Sequence, residues 1–139
     1  MFIGKYYHRL ETQNRISLPK KFREINETWI VTRGLDGCLF LFQPADFKSQ
    51  LTEIANRSLT KKTNRDLVRI MTHEAVELTS DPAGRIHLPE YLTKLAHLTD
   101  DVVVVGSLHH LELWDLTIYH AYVDQLENQA EAIAEAVEL

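Results

Sequence analysis

The strongest constraint on this chain is that it repeats itself. Arg15-Ile-Ser-Leu-Pro-Lys-Lys-Phe22 lines up with Arg85-Ile-His-Leu-Pro-Glu-Tyr-Leu92 at an offset of 70 residues. Further along, Gly34 matches Gly106 and Leu39-Phe-Leu-Phe42 matches Leu111-Glu-Leu-Trp114, now at an offset of 72, so the second copy has gained two residues. Phe47, Leu51 and Ile54 then match Tyr119, Val123 and Leu126 at that same offset. A fixed order of matching features through two halves marks a repeated supersecondary unit.

Each half reads as the same succession. A short β-rich segment (residues 5–10 and 75–79) leads into a polar turn (11–14 and 81–84) and a brief strand (15–18 and 85–88). Pro19 and Pro89 follow where a short helix begins, a position that tolerates proline because its N–H has no intrahelical partner. An apolar strand rich in β-branched residues comes next (29–32 and 102–105), broken at Gly34 or Gly106, and then a second strand (38–42 and 111–114). A longer helix closes each half, with Asp46 in the first turn of one and Asp115 as the N-cap of the other. Trp29 and Trp114 fall on strands and are expected in the core, and Cys38, inside an apolar strand, reads as a small core residue.

One copy, at roughly 55–60 residues, has too few strands and too little apolar material for a core of its own. Two copies about a pseudo-twofold axis, each lending its hairpin to the other, solve this by sharing one barrel of four short strands from each half. The expected fold class is α+β: two tandem β-α-β-β-α repeats forming one pseudo-twofold swapped-hairpin (double-split) β-barrel with flanking helices. The chain divides into a first repeat (5–47), a helical connection (48–75), a second repeat (76–119) and an acidic C-terminal helix (120–139). Within the connection, residues 58–72 carry Leu67, Val68, Ile70 and Met71 among charged residues and read as an amphipathic helix. The last helix, from about residue 116 to 137, carries Leu116, Tyr119, Val123, Leu126, Ala130, Ile133 and Val137 at spacings of three and four, a seam for packing on another helix. Its outer face holds Asp124, Glu127, Glu131, Glu135 and Glu138 with no basic residue nearby, which sets it against DNA phosphate.

Charge is distributed unevenly. The chain carries a net −5, but residues 1–70 hold thirteen Lys and Arg against seven Asp and Glu (+6), and residues 71–139 hold two against thirteen (−11). The basic charge is densest at the start, in Lys5, Arg9, Arg15, Lys20, Lys21 and Arg23. Such a split suits either one face for an anionic partner or two halves that attract each other within an oligomer.

Other chemistries find little footing. His109-His110 with Glu112, and His120 further on, lack the i, i+4 spacing of a helical metal site, and adjacent strand residues point to opposite faces. There is no Gly-x-Ser-x-Gly, no phosphate loop and no supported Cys/His pair, so the expectation is not an enzyme, with no small-molecule substrate, metal or cofactor. Cys38 is the sole cysteine, so no internal disulfide forms. No apolar run approaches the roughly 18–20 residues of a membrane span, and the opening residues lack a signal-peptide pattern, so a cytoplasmic protein is expected.

The second copy carries the turn Asp81-Pro-Ala-Gly-Arg85, and the first carries Glu11-Thr-Gln-Asn-Arg15 followed by Ile16-Ser-Leu-Pro19. A paired Asp-x-x-x-Arg turn of this kind resembles the AbrB/SpoVT swapped-hairpin module. Two such modules in a chain opening Met1-Phe-Ile-Gly-Lys-Tyr resemble the MraZ family over nearly the whole length. Glu11 replaces the usual aspartate and Asn14 stands where glycine is typical, a residue that also tolerates left-handed backbone. The resemblance implies a nucleoid-associated repressor that binds repeated short G-rich elements of double-stranded DNA upstream of the division and cell-wall gene cluster, its own promoter included. It also implies a ring of identical subunits, in which weak single contacts add through effective concentration.

On that reading Arg15 and Arg85, each opening a strand after a turn, are placed to grip phosphate or guanine with two donors. The alternative for each is a salt bridge across its own turn, Glu11 to Arg15 and Asp81 to Arg85. Lys5, Arg9, Lys20, Lys21 and Arg23 are candidate phosphate contacts, with Lys5, Tyr7 and Arg9 on one face of their strand and Tyr6 and His8 on the other. The alternative is an edge strand blunted by charge. Glu11, Asn14, Asp81 and Gly84 are expected to shape the turns. Lys61, Lys62, Arg65 and Arg69 form a second basic stretch that reads as a solvated or inter-subunit face.

Overall fold

Strand pairing carries the two repeats into one structure. The computed structural model describes residues 1–25 and 27–137. The first repeat comprises β1 (Lys5–Arg9), β2 (Arg15–Ser17), α1 (Lys20–Arg23), β3 (Thr28–Arg33), β4 (Leu39–Phe42) and α2 (Pro44–Asn56), and α3 (Lys62–His73) connects it to the second. The second comprises β5 (Val76–Thr79), β6 (Arg85–His87), α4 (Glu90–Leu95), β7 (Asp101–Gly106), β8 (Leu111–Asp115), α5 (Leu116–Asn128) and α6 (Ala130–Ala136). Six strands form an antiparallel sheet in the order β1-β7-β8-β4-β3-β5, and β2 pairs with β6 in a separate ribbon. Exchanging the repeats turns that order into itself, which is the expected pseudo-twofold.

The swap is explicit in the register. β1 pairs with β7 of the other repeat, Lys5 opposite Val105 and Arg9 opposite Asp101. β5 likewise pairs with β3, β4 meets β8 across the middle, and Ile16 of the ribbon stands opposite Ile86. No strand of either first hairpin completes a sheet within its own repeat: β1, β2, β5 and β6 all pair with strands of the other.

Alternation along the strands then builds three layers. The ribbon residues Ile16, Leu18, Ile86 and Leu88 are buried against Trp29, Val31, Val102, Val104 and Leu113 on the inner face of the sheet, so the eight strands enclose one core with contributions from both repeats. The opposite face is covered by helices. α5 lies over Cys38, Val103 and Trp114 through Tyr119, and α2 and α3 cover Phe42 through Leu51 and Met71. Trp29 and Trp114 are buried, as their strand positions predict, and Cys38 is buried immediately before β4 rather than within it. Burial also pushes the Cys38 thiol well up, so it stays protonated.

Several local readings shift. Pro19 and Pro89 occupy the N-cap position, with extended backbone, one residue before their helices. β7 continues through Gly106, whose N–H donates to the Gly4 carbonyl at 2.8 Å; the glycine is there because the N-terminal arm passes against it. Asp115 caps α5 by accepting from the Ile118 N–H at 3.1 Å. The connecting helix begins at Lys62, after a turn in which the Lys61 N–H bonds to the Ser58 carbonyl. The last helix is interrupted at Gln129, whose φ of −118° leaves the helical range. Glu138, expected on its outer face, lies outside the described residues.

Candidate nucleic-acid interface

The outward face of β1 is built by alternation. Lys5, Tyr7 and Arg9 are exposed, and Tyr6 and His8 turn inward, half-buried. Lys5 and Arg9 lie roughly 13 Å apart along the strand. Tyr6 packs edge-on against Phe22 of α1 at 5.3 Å between centroids, and the Lys21 ammonium sits 5.1 Å from the Tyr6 centroid. That cation–π contact steers Lys21 along the surface while leaving its charge uncompensated. Burial, and next the nearby Arg23 charge, lower the His8 pKa below the ordinary histidine value, which keeps the ring neutral at neutral pH. β1 is a sheet edge, so its cations also oppose pairing with a foreign strand.

Arg9 is partly committed. Its Nη2 donates to both Asp100 oxygens at 2.9 Å, and its Nε lies 3.5 Å from Asp101. The hydrogen bond to Asp100 foremost raises its pKa further. All three side chains are more than half exposed, so phosphate can compete for the guanidinium. Sequence reasoning missed this partner because Asp100 and Asp101 reach Arg9 only through the swapped β1–β7 register.

The two turns close alike and are held differently. In each, the carboxylate residue's N–H bonds to the arginine carbonyl at 2.8 Å, Glu11 to Arg15 and Asp81 to Arg85. Asn14 at φ +57° and Gly84 at φ +80° take the left-handed conformation, so asparagine does the work of glycine in the first turn. In the second turn Asp81 Oδ1 accepts from the Ala83 and Arg85 N–H groups, both at 2.9 Å, and Oδ2 accepts from Arg85 Nε at 3.0 Å. The longer Glu11 makes no such cap. Its Oε1 reaches across to the other repeat and accepts from Arg85 Nη1 at 3.4 Å, and its Oε2 accepts from Ser17 Oγ of its own repeat at 3.2 Å. Arg85 is therefore the turn lock of the alternative reading, held by two carboxylates. Arg15 forms no Glu11 bridge: it is half-exposed and makes no ion pair among the described residues.

Asp81 is held below its ordinary pKa, chiefly by the Arg85 N–H and also by the Arg85 guanidinium. A depressed carboxylate adds stability that is fully present above its unfolded value, about 3.9, and is lost as pH falls through the lower native value. Asp81→Ala is thus expected to lower the melting temperature at pH 7, with a smaller gap to wild type at pH 3. An equal gap at both pH values in thermal melts means that the charge adds nothing beyond the turn geometry.

α1 places the remaining cations. Lys20 is exposed, 3.9 Å from Glu24. Arg23, expected as a phosphate contact, folds over the second turn and donates to the Ala83 carbonyl at 2.8 Å, where a side chain on Gly84 would collide with it. Lys5 and Arg15 make no ion pair and no side-chain hydrogen bond among the described residues. The pseudo-twofold generates an equivalent face in the second repeat, but there Lys5, Tyr7 and Arg9 become Ala75, Glu77 and Thr79, and Lys20, Lys21 and Arg23 become Glu90, Tyr91 and Thr93. One of two equivalent faces is basic; the other is not.

His110 lies against the Phe40 and Phe42 rings, 4.4 and 5.1 Å between centroids, beside Glu112. Among the described residues no three His, Cys, Asp or Glu side chains converge as a metal-binding group. No helix of the described chain is long and apolar enough to cross a membrane.

The duplication and its paired turns have a counterpart among known families. The model of the MraZ protein family, described as antitoxin-like, matches twice, over residues 1–70 and again over 71–138. The chain belongs to the MraZ family. Its two matched segments meet inside the last turn of α3, the helix that connects the first repeat to the second. MraZ is a family of regulators, not of enzymes. Within this member, Glu11 and Asn14 leave the two turns closed alike, while Arg85 is bound by carboxylates and Arg15 stands free of them.

Proposed function

We propose that this MraZ-family chain is a sequence-specific DNA-binding transcriptional regulator. It represses the division and cell-wall gene cluster, its own promoter included, and it grips short repeats in double-stranded DNA as a ring-shaped homo-oligomer on the cytoplasmic nucleoid. The observation that carries this reading is the pair Lys5 and Arg15, cations without a carboxylate partner among the described residues, on the basic one of two equivalent faces. An unpaired guanidinium at a turn has no internal bond to break before it meets phosphate or the O6 and N7 of guanine. Lys20 and Lys21 extend the patch along α1, and Arg9 joins by exchanging exposed Asp100 for phosphate. A ring presents this patch several times, so modest single contacts become tight binding to repeated sites.

The test is titration of a labelled duplex from the promoter of this chain's own gene against a scrambled duplex, for wild type and K5A/R15A. Wild type should prefer the promoter, with log affinity falling by about 0.9 per phosphate neutralised for each unit of log salt. The double variant should bind roughly ten- to a hundredfold more weakly, with a shallower salt slope and an unchanged oligomer mass. No promoter preference, or equal binding by the variant, sinks the reading. A second reading, a protein-interaction or antitoxin-like ring without DNA activity, is favoured by the net charge of −5 and by the carboxylates that hold Arg9 and Arg85. It expects K5A/R15A to behave as wild type throughout.

A further inference from the structure

We propose that the groove between α2 and α3 receives the α5–α6 tail of a second copy of this chain, joining neighbouring subunits helix to helix. The inference rests on the ring reading above and names the surfaces that would build it.

The groove is apolar inside and basic outside. Ile54 and Val68 line it, Leu59 stands on its lip at 70% exposure, and Arg57, Arg65 and Arg69 flank it. Residues 57–73 carry five Lys and Arg against Asp66 alone, a net +4. Asp66 is shared between Lys62 and Arg69, and Arg65 donates at 2.7 Å to the Leu59 carbonyl, a neutral acceptor that leaves its charge standing. Arg57 pairs with Glu53 at 3.5 Å and Arg69 with Asp66, so Arg65 is the flanking arginine whose charge stands uncompensated among the described residues; a leucine that open beside it is the composition of an interface rim and core, not of an ordinary solvated helix.

The tail has the complementary composition. From Asp124 to Val137 every residue is exposed. Leu126, Ala130, Ile133 and Val137 form one stripe at helical spacing, flanked by Asp124, Glu127, Glu131 and Glu135 with no Lys or Arg, a net −4. In the first repeat the second helix, α3, folds back and packs Met71 against Phe42 and Leu51. Its counterpart α6 has no such seat. A seven-residue helix is marginal in water without one, because its few hydrogen bonds do not repay nucleation.

Groove and tail are both open within one chain, so they meet only between chains. The tail of one copy in the groove of the next is a heterologous contact, the kind that closes into a ring. Opposite charges of equal size would set the direction of that contact and exclude tail-to-tail or groove-to-groove pairing.

Sedimentation velocity without DNA tests this on the full chain. Arg69, Glu131 and Glu135 are exposed and Arg65 is half-buried; R65E/R69E and E131R/E135R, both checked for folding by circular dichroism, should each weaken self-association at least tenfold and shift the mass to smaller species. Combining all four substitutions, which restores opposite charge, should restore the wild-type mass. Unchanged mass in either pair, or failure of the combination to restore it, overturns the docking. A monomeric wild type overturns the ring itself. R65E/R69E that keeps its mass but loses promoter affinity assigns α3 to DNA and likewise overturns the proposal.

Discussion

Replacing Trp29 with alanine is expected to lower the unfolding free energy by about 3–5 kcal/mol and to weaken both repeats together. Trp29 on β3 is fully buried, its ring 5.8 Å from Phe2, in a cluster that joins Ile16 and Val31 of the first repeat to Ile86, Val102 and Leu113 of the second. Its Nε1 finds no hydrogen-bond partner among the described residues, so the substitution breaks no polar contact there and the loss is one of packing. Against a domain stability of about 5–15 kcal/mol, such a loss takes a large share. The shared core also requires that the halves unfold in one transition. Urea titration at fixed protein concentration, followed by circular dichroism and by the combined fluorescence of Trp29 and Trp114, which lie on opposite faces of the sheet, should give coincident curves for wild type. A loss below about 1.5 kcal/mol, or two separated transitions, would show that each repeat holds a core of its own.

The swap is legible in the sequence because repeat size and hydrophobic pattern act together. Arg15–Phe22 and Arg85–Leu92 announce two like units, and the smallness of each unit forbids an independent core. The β-branched run at Val102–Val105 reads as one strand, and the structure shows why all of it is apolar: Val102 and Val104 face the ribbon while Val103 faces α5. Periodicity is blind to a backbone that passes close by. Gly106 looks like a strand end in isolation, and only the tertiary position of Phe2 and Ile3 explains why it is a glycine within β7. The break at Gln129 has no such signal either, since the apolar stripe runs straight through it.

The site is legible in its cations and illegible in their partners. Charge density marks Lys5, Arg9, Arg15, Lys20, Lys21 and Arg23 as a group, and the structure brings them onto β1, β2 and α1 of one repeat. Which of them are spoken for depends on contacts across about 60 to 90 positions of sequence: Arg9 with Asp100, Arg23 with the Ala83 carbonyl, Arg85 with Glu11. Spacing suggests a local Glu11–Arg15 bridge by analogy with Asp81–Arg85. The extra methylene of glutamate and a turn with both Gln13 and Asn14 in left-handed conformation send that carboxylate elsewhere, and this is what leaves Arg15 free.

Gly106→Ala is expected to cost about 3–5 kcal/mol, the loss of a buried phenylalanine, and, on the proposed reading of the chain as a DNA-binding regulator, to weaken DNA binding through the same displacement. A methyl group there would stand 2.4 Å from the Ile3 nitrogen and 2.5 Å from the Phe2 carbonyl carbon. Both are backbone atoms, which cannot swing aside as a side chain does, so the N-terminal arm must move. The arm is fastened by the Phe2–Leu108 pair of hydrogen bonds at 2.9 and 2.8 Å, by Gly106 N–H to Gly4, and by the Phe2 ring, edge-on to Phe22 at 5.2 Å. Lifting it draws Phe2 from the core and displaces Lys5, three residues on, at the start of β1. Phe2→Ala should therefore reproduce most of the stability loss, and cleavage at the N-terminus by a dilute protease should quicken in both variants. Gly34→Ala, at the equivalent position of the first repeat, meets Cys38 and Phe40 instead and should destabilise without loosening the arm. A Gly106→Ala protein within about 1 kcal/mol of wild type, with its N-terminus still protected, would mean that the arm yields freely and that Phe2 is no keystone of the shared core.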